Sequence, residues 1–289
     1  MIKSWISAAR PRTLPTSLSP VIIASGYAFN DGKLNIPIVV VCALFAIVAQ
    51  IASNFANDYF DFKNGSDKAS RIGPRRAVAS GEIAPERMLK ATIVMLAIAA
   101  LLGSFLIPLG GWALVILGVI IIAFALLYSA GPYPLSYHGL GEITVFIFFG
   151  IIPVCATYWL QTGIMQYEDI IYGGTAAGLL SVNILLVNNY RDRDTDTADG
   201  KRTAVVIMGK RFALYAYLIN GILASLLFLG YNAGIIAAAV FIIIHIFTWN
   251  GIRKSSGSKL NQYIGRTAAN QLIFTLIFIA LILIYKTLL

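Results

Sequence analysis

Ionisable side chains and cysteines are scarce in this chain of 289 residues. Lys, Arg, Asp and Glu together make up 12% of the residues, whereas hydrophobic residues make up 58%. This composition lies outside the range of ordinary soluble domains. The two cysteines, Cys42 and Cys155, both fall inside apolar stretches, so the sequence implies no disulfide or zinc framework. The composition therefore favours a membrane protein without a soluble appendage.

Long apolar stretches recur along the chain. A spanning α-helix needs ~20 mostly apolar residues to cross a hydrocarbon core of ~30 Å. About nine stretches meet this description, near residues 14–30, 35–56, 87–107, 112–129, 142–161, 170–190, 211–229, 233–250 and 268–287. The sequence thus predicts an all-α, polytopic membrane protein of about nine transmembrane helices, with residues 1–289 forming a single integral-membrane domain.

The basic residues are unevenly distributed. The net charge is +9, a balance that in other proteins can indicate nucleic-acid binding. If the amino terminus is cytoplasmic, however, nearly all Lys and Arg residues fall on one side, and the opposite side keeps only Lys33 and Lys286. This asymmetry follows the positive-inside rule. We therefore expect a multi-pass protein in the bilayer of the cell inner (cytoplasmic) membrane, with its amino terminus in the cytoplasm and no nucleic-acid partner.

Two acidic segments interrupt this pattern, each where an apolar helix meets a basic cytoplasmic loop. The first motif reads NFANDYFDFKNGSD and contains Asn54, Asn57, Asp58, Asp61 and Asp67. The second motif reads NNYRDRDTDTADGKRT and contains Asn188, Asn189, Asp192, Asp194, Asp196, Asp199, Lys201 and Arg202. Both end a helix predicted to run from outside to inside. We therefore expect the two motifs to face each other across a central cavity open to the cytoplasmic side.

The carboxylates of these motifs recur at helical spacing. Asp58 and Asp61 are three residues apart and share a helical face; Asp192 and Asp196, four apart, do so if their helix runs past Arg191. Two like charges ~4 Å apart repel by ~4 kcal/mol at an effective dielectric near 20. Such faces are stable only with protonation or bound cations. Mg²⁺ fits this chemistry because it takes one or two carboxylates plus substrate phosphates, whose oxygens neighbouring Lys and Arg can bind.

Other interpretations stay open from the residues alone. Asp and Asn also cap helices and line solvated loops. Intramembrane carboxylates also mark ion pathways, so a divalent-cation transporter is an alternative function. A calcium loop is disfavoured because Thr197 and Thr203 stand where it requires Gly and a bidentate Glu. A phosphate-binding P-loop is disfavoured because GKRT at 200–203 lacks the upstream glycines.

Three strings carry a resemblance to a known family. They are RPRTLP at 10–15, NDYFDFKNGSDKASRIGPRRAV at 57–78 and NNYRDRDTDTADGKRT at 188–203. Together they resemble the UbiA superfamily of intramembrane prenyltransferases, and within it the menaquinone branch that acts on 1,4-dihydroxy-2-naphthoate. The resemblance implies Mg²⁺-dependent transfer of a polyprenyl group from polyprenyl diphosphate to this aromatic acceptor, whose carboxylate is lost as carbon dioxide. A UbiA-type enzyme with another acceptor, such as 4-hydroxybenzoate, is the alternative.

The resemblance also implies roles for individual residues. The residues expected to hold Mg²⁺ and act in catalysis are Asp58, Asp61, Asp192 and Asp196. Those expected to bind the diphosphate oxygens are Asn57, Lys63, Lys201 and Arg202. The sequence leaves open whether Asp67 and Asp199 take part, how many metal ions bind, the oligomeric state and the prenyl chain length.

Further residues are expected around the acceptor and the reacting carbon. Arg12, with Arg10, is expected at the acceptor carboxylate or the diphosphate, or else as a positive-inside anchor. Glu142 is expected to orient the acceptor hydroxyls or to stabilise the first turn of its helix. The side chains expected to wall the allylic cation are Tyr128, Tyr133, Tyr137, Phe146 and Phe149. Those expected to close over the phosphates or to bind lipid heads are Arg71, Arg75 and Arg76.

Overall fold

Helices dominate the fold. The computed structural model describes residues 1–66, 72–164 and 168–288, and these ranges contain no β-strand. The helices are α1 (Ile2–Ala9), α2 (Pro15–Asn30), α3 (Ile36–Lys63), α4 (Pro85–Ser104), α5 (Ile107–Leu127), α6 (Gly141–Phe146), α7 (Ile152–Thr162), α8 (Ile170–Ala198), α9 (Ala204–Ser225), α10 (Gly234–Arg253) and α11 (Asn261–Leu288). A π-helical turn over Ile147–Ile151 joins α6 to α7. The predicted all-α fold class is confirmed. Asp67 and Arg71 lie outside the described residues.

Eight segments of the described chain are long and apolar enough to cross a membrane. They coincide with eight of the nine predicted stretches. The remaining stretch, near 14–30, forms α2, a helix of 16 residues. At 1.5 Å per residue this helix is about 24 Å long, shorter than a hydrocarbon core of ~30 Å. The structure therefore supports a multi-pass membrane protein, and the ninth span stays a prediction.

Helices α3 and α8 extend beyond the apolar stretches that predicted them. The sequence placed their ends near residues 56 and 190, whereas α3 runs to Lys63 and α8 to Ala198. Both helices therefore continue as polar turns that carry the acidic residues. Because α8 continues past Arg191, the side chains of Asp192 and Asp196 lie one turn apart on the same helical face.

Helix α8 forms the centre of the bundle and α5 lies at its edge. In α8, 72% of the most apolar stretch is buried, against 6% in α5. The sequence of α8 accounts for this difference, because polar side chains such as Asn183 and Ser181 avoid lipid by packing inward, where both are buried. Helix α5 is almost wholly apolar and needs no such protection.

Glycines bring α8 close to the segment that contains the π-helical turn. A Cβ atom added to Gly150 would lie 2.5 Å from the carbonyl oxygen of Gly174 and 2.5 Å from the Cα of Gly178. A Cβ atom added to Gly178 would lie 2.7 Å from the carbonyl oxygen of Phe146. Gly174 and Gly178 are four residues apart, which is the spacing of small residues at close contacts between membrane helices. This contact fixes the π-helical turn against the central helix.

Candidate active site

A cavity of about 830 Å³ lies within the bundle. Apolar side chains from α3, α5 and the π-helical turn line its deeper part. Its polar end receives side chains from both acidic motifs, namely Asn57, Asp58, Asp61, Asn188, Asp192, Asp196 and Lys201. The structure thus places the ends of α3 and α8 at one chamber that is polar at one end and apolar along the rest.

Lys201 links the two motifs directly. Its Nζ lies 3.7 Å from Oδ1 of Asp61, although 140 residues separate the two positions. The same ammonium group lies 4.3 Å from the ring centroid of Tyr137. Lys201 follows a tight turn at Gly200, whose φ of +73° suits glycine. This turn directs the chain after α8 back towards the end of α3.

Asp61 receives polar contacts from several parts of the site. Its side chain is 2% exposed. Oδ1 accepts a hydrogen bond of 2.7 Å from the hydroxyl of Tyr137, and Oδ2 accepts one of 3.0 Å from Nδ2 of Asn57. The guanidinium of Arg76 lies 3.5 Å from Oδ2. Two cations and two neutral donors thus surround this buried carboxylate.

Asn57 connects the amino-terminal segment to this carboxylate. Its Oδ1 accepts hydrogen bonds from the guanidinium groups of Arg10 and Arg76, and its Nδ2 also donates to the hydroxyl of Ser129 at 3.0 Å. Arg10 has a left-handed backbone, with φ of 54°, a conformation that costs a residue other than glycine roughly 1–2 kcal/mol. The fold therefore accepts local strain where Arg10 reaches the site.

Asp58 is bound differently from Asp61. It is 1% exposed, and its two oxygens accept hydrogen bonds from the backbone N–H groups of Ala77 and Val78 at 3.2 and 3.3 Å. These amides belong to the loop between α3 and α4. In this arrangement Asp58 holds that loop against the end of α3.

Asp192 and Asp196 also differ. Arg191 makes two hydrogen bonds to the carboxylate of Asp192, at 2.6 and 2.7 Å, and a third to Oδ1 of Asn261 at 2.8 Å. Asp196 lines the cavity and is half-buried. Asp194, between them, is exposed and pairs with Lys210 at 2.9 Å, outside the cavity.

Two tyrosines of the loop between α5 and α6 remain protonated. Burial and the nearby carboxylate of Asp61 raise the pKa of Tyr137 well above its usual value. Burial, followed by the charges of Glu142, Asp61 and Asp196, raises the pKa of Tyr128 in the same direction. Tyr137 therefore stays a hydrogen-bond donor to Asp61, and the charges that raise the pKa of Tyr128 come from carboxylates of three different helices.

The sequence of this chain matches a known protein family. The family model described as the UbiA prenyltransferase family matches residues 17–270. The chain belongs to this family. It is 38% identical over 247 residues to a 1,4-dihydroxy-2-naphthoate octaprenyltransferase of Haemophilus influenzae, covering 83% of this chain and 79% of that protein. It is 37% identical to the Escherichia coli protein of the same name, covering 72% of this chain and 69% of that protein. The predicted family is confirmed.

Solved UbiA structures share the fold. A UbiA homolog from Archaeoglobus fulgidus bound to DMAPP and Mg²⁺ superposes with a TM-score of 0.68 at 18% identity, covering 99% of this chain and all of that one. A UbiA homolog from Aeropyrum pernix has the same TM-score at 16% identity, covering 94% of this chain and 98% of that one. At these identities the comparison establishes the helical architecture.

The donor groups of this UbiA-family cavity fit a magnesium ion that shares its ligands with a phosphate. The described residues contain no group of three or more His, Cys, Asp or Glu side chains that could hold a metal by themselves. Asp61 and Asp196, however, present carboxylates to one chamber that also holds Lys201 and Arg76. Mg²⁺ commonly takes one or two protein carboxylates, with phosphate oxygens and water completing its octahedron. The residues therefore suit a metal that arrives with its diphosphate.

Several predicted site residues lie away from the chamber. Lys63 and Arg202 are exposed and do not line the cavity. The backbone N–H of Arg202 donates to the carbonyl of Tyr137 at 2.8 Å. Glu142 also lies outside the cavity lining and accepts a hydrogen bond of 2.9 Å from Asn189. Arg12 is exposed but lines the cavity. The structure thus brings Arg12 to the chamber and leaves Lys63 and Arg202 outside it.

The aromatic walls are partly those predicted. Tyr128 and Phe149 line the cavity, whereas Tyr133, Tyr137 and Phe146 do not. Tyr133 stacks on His138, and Phe146 packs against Gly178. Phe124 and Phe148 form a stacked pair on the cavity wall, with ring centroids 4.7 Å apart. Sequence reasoning missed this pair because phenylalanines in apolar helices give no signal of the face they occupy.

Sequence reasoning also missed the polar contacts of three residues. Arg76 was assigned to a lid, but it contacts Asn57 and Asp61 directly. Arg191 was given no role in the site, but it is 4% exposed and bound to Asp192. Tyr137 was assigned to an aromatic wall, whereas its hydroxyl is the group that reaches Asp61. All three residues lie inside an acidic motif or in a loop next to the site, and this position was the signal that the sequence offered for their polar contacts.

Proposed function

We propose that this UbiA-family chain is a single-domain 1,4-dihydroxy-2-naphthoate polyprenyltransferase of menaquinone biosynthesis. It transfers a polyprenyl group from polyprenyl diphosphate to the naphthoate and releases diphosphate and carbon dioxide, giving demethylmenaquinol. The observation that carries the proposal is one chamber that joins a carboxylate- and cation-rich end to an apolar interior. That shape matches a substrate with an anionic head and a hydrocarbon tail. Relatives of this name, 37–38% identical, support the choice of acceptor.

The basic side chains of the polar end bind the diphosphate in this proposal. Arg10, Arg76 and Lys201 line the cavity, and each carries several donors for phosphate oxygens. Bound Mg²⁺, held by Asp61 and Asp196 with contributions from Asp58 and Asp192, would neutralise charge on the leaving diphosphate. Asn57 and Tyr137 hold the Asp61 carboxylate in one orientation through hydrogen bonds of 3.0 and 2.7 Å.

The reaction exchanges one bond of each substrate for a new carbon–carbon bond. The bond between the first prenyl carbon and its oxygen breaks, and the electron pair leaves with the diphosphate. The ring then attacks the allylic cation, and the acceptor carboxylate leaves as carbon dioxide while its electron pair returns to the ring. Tyr128, Phe149 and the Phe124–Phe148 pair line the chamber and present π faces that stabilise a cation. The apolar walls also exclude water from the cation.

The same proposal includes the orientation in the membrane. The loops rich in Lys and Arg, the amino terminus and the polar end of the cavity would lie on the cytoplasmic side of the inner membrane, in line with the positive-inside rule. This orientation gives the soluble naphthoate access from the cytoplasm. Labelling of single cysteines introduced at Lys254 and Asn232 with a membrane-impermeant reagent in intact cells tests it. Labelling at position 254 and protection at position 232 would contradict the orientation.

Purified protein in liposomes tests the reaction. With Mg²⁺ and a labelled polyprenyl diphosphate, we expect stoichiometric release of diphosphate and carbon dioxide with 1,4-dihydroxy-2-naphthoate, and at most traces of product with 4-hydroxybenzoate. Chelation of Mg²⁺ should abolish turnover. Preferred prenylation of 4-hydroxybenzoate would reassign the acceptor, and transport of Mg²⁺ across the liposome membrane without prenyl transfer would reject the proposal.

A further inference from the structure

Two buried polar atoms on the wall of the cavity have no hydrogen-bond partner among the described residues. They are Oε1 of Gln50, in α3, and Oγ1 of Thr16, in the first turn of α2. The two residues are 8% and 5% exposed, and both line the cavity. Since buried polar groups in folded proteins are nearly always hydrogen-bonded, these two atoms mark a place where a ligand supplies the missing partner.

The orientation of the Gln50 amide is determined by its neighbour. Nε2 donates a hydrogen bond of 3.0 Å to the backbone carbonyl of Thr13, which a carbonyl oxygen could not do. Oε1 therefore occupies the other branch of the amide and can only accept a hydrogen bond. Thr13 lies one helical turn before Thr16, and both Gln50 and Thr16 line the same cavity.

These atoms lie too deep to bind the diphosphate. Gln50 precedes Asn57 by seven residues on α3, so it shares the same helical face but lies about 10 Å further along the helix axis, away from Asp61. The turn of α3 before Gln50 lines the cavity with the apolar side chains of Phe45, Ala46 and Ala49. The anionic end of the chamber is thus two helical turns away from the unpaired amide oxygen.

The prenyl tail cannot satisfy these atoms, because a hydrocarbon offers no hydrogen bond. A hydroxyl on an aromatic ring both donates and accepts, which complements an amide oxygen and an adjacent threonine hydroxyl. Arg12 also lines the cavity and lies next to Thr13, where a guanidinium can bind a carboxylate. A flat ring that carries a hydroxyl and a carboxylate suits this combination of groups.

We propose that Gln50 and Thr16 form the acceptor subsite, in which Oε1 of Gln50 accepts a hydrogen bond from a ring hydroxyl of the aromatic acid and the Thr16 hydroxyl donates one to the same oxygen. This inference rests on the proposed function and names the residues that discriminate between acceptors. Gln50 and Thr16 are substrate-binding residues that contact the acceptor and neither the diphosphate nor the metal.

Steady-state kinetics of Gln50→Leu and Thr16→Val in liposomes tests the subsite. Each variant should raise KM for 1,4-dihydroxy-2-naphthoate about 3- to 10-fold, the value of one hydrogen bond, and leave KM for the polyprenyl diphosphate unchanged. The matched controls are Gln161→Leu and Thr92→Val, which alter buried or half-buried polar side chains outside the cavity. The controls should leave both KM values unchanged.

Naphthoates that lack one hydroxyl sharpen the test. As competitive inhibitors of the wild type, 1-hydroxy-2-naphthoate and 4-hydroxy-2-naphthoate should differ, and the one lacking the bound hydroxyl should bind about 3- to 10-fold more weakly than the other. In Gln50→Leu this difference should shrink, because only the hydrogen bond from Thr16 to that hydroxyl is left. Variants that keep the wild-type KM for the acceptor, that weaken both substrates equally, or that retain the full difference between inhibitors would each overturn the subsite. A wild type that never prenylates the naphthoate would instead overturn the proposed function.

Discussion

The first acidic motif supplies a carboxylate that donors from several segments contact, and the second supplies one that the neighbouring arginine contacts on both oxygens. On α3, Asp61 is contacted by Asn57, Tyr137, Arg76 and Lys201. On α8, the carboxylate of Asp192 is bound on both oxygens by Arg191. The two helices end alike, yet the first motif holds its carboxylate with donors from four segments. The comparison teaches that similar spacing in sequence does not imply equal roles in the site.

Of the changes that test this difference between the motifs, substitution of Asp61 should lower activity the most. Asp61→Asn keeps the size of the side chain but removes the charge that would hold Mg²⁺, so we expect kcat to fall about 10³-fold. Diphosphate release at saturating substrates measures it. Asp194→Asn is the matched control, because Asp194 belongs to the second motif but lies outside the cavity, and it should retain near-normal turnover. Equal losses in both variants would remove the distinction between the motifs.

The buried ion pair between Arg191 and Asp192 on α8 should contribute to the stability of the fold. Asp192→Asn leaves the buried guanidinium of Arg191 without its carboxylate, and breaking a buried pair in this way costs about 3–5 kcal/mol. Arg191→Met combined with Asp192→Leu should cost less than the single change, because no unpaired charge stays buried. Thermal unfolding in detergent measures both. A fully stable Asp192→Asn variant would show that the Arg191 contact contributes little.

Tyr137 tests whether hydrogen bonds orient the first-motif carboxylate. Tyr137→Phe removes one donor to Asp61 while keeping the ring beneath Lys201, so we expect an activity loss of about 10-fold. The raised pKa of Tyr137 keeps the hydroxyl protonated at about pH 10, where an ordinary tyrosine titrates. The hydrogen bond is therefore present below that pH and lost only as the pH rises through the higher folded-state pKa. The ratio of wild-type to variant rates should stay constant from about pH 7 to pH 10; a ratio that falls towards 1 would contradict this.

In stability, Asp58 should show the smallest effect, at the adjacent loop. In Asp58→Asn one carboxylate oxygen becomes an NH₂ group that cannot accept from the backbone, so one of the bonds to Ala77 and Val78 is lost. We expect protection of these two amides from hydrogen exchange to fall by about 1–2 kcal/mol. Hydrogen exchange followed by mass spectrometry measures it. Unchanged exchange in this peptide would show that other contacts hold the loop.

The sequence predicted the helices better than it predicted the contacts between them. Eight spans could be located because lipid requires long apolar runs. The sequence placed the ends of α3 and α8 several residues before the observed ends, because the polar turns after residues 56 and 190 resemble loops in composition. Both turns remain helical to Lys63 and Ala198. Helical spacing correctly indicated that the acids of each motif share a face.

Contacts between distant segments were beyond what spacing can indicate. Tyr137 and Asp61 are 76 residues apart, and the amides that bind Asp58 come from a loop about 20 residues downstream. Arg191 and Asp192 are adjacent on a helix, where neighbouring side chains point in different directions. Their contact depends on how the long arginine side chain folds back, which packing and not sequence pattern decides.

Helix α5 has one further consequence for how substrates travel. Leu117, Ile121 and Phe124 line the chamber, while Trp112, Ile116 and Ile120 on the same helix are exposed at the outer surface. A wall one helix thick is therefore all that stands between the reaction chamber and the surrounding hydrocarbon on this side. A quinone precursor whose tail dissolves in the bilayer would cross only this one layer to pass laterally between the chamber and the lipid, without entering water.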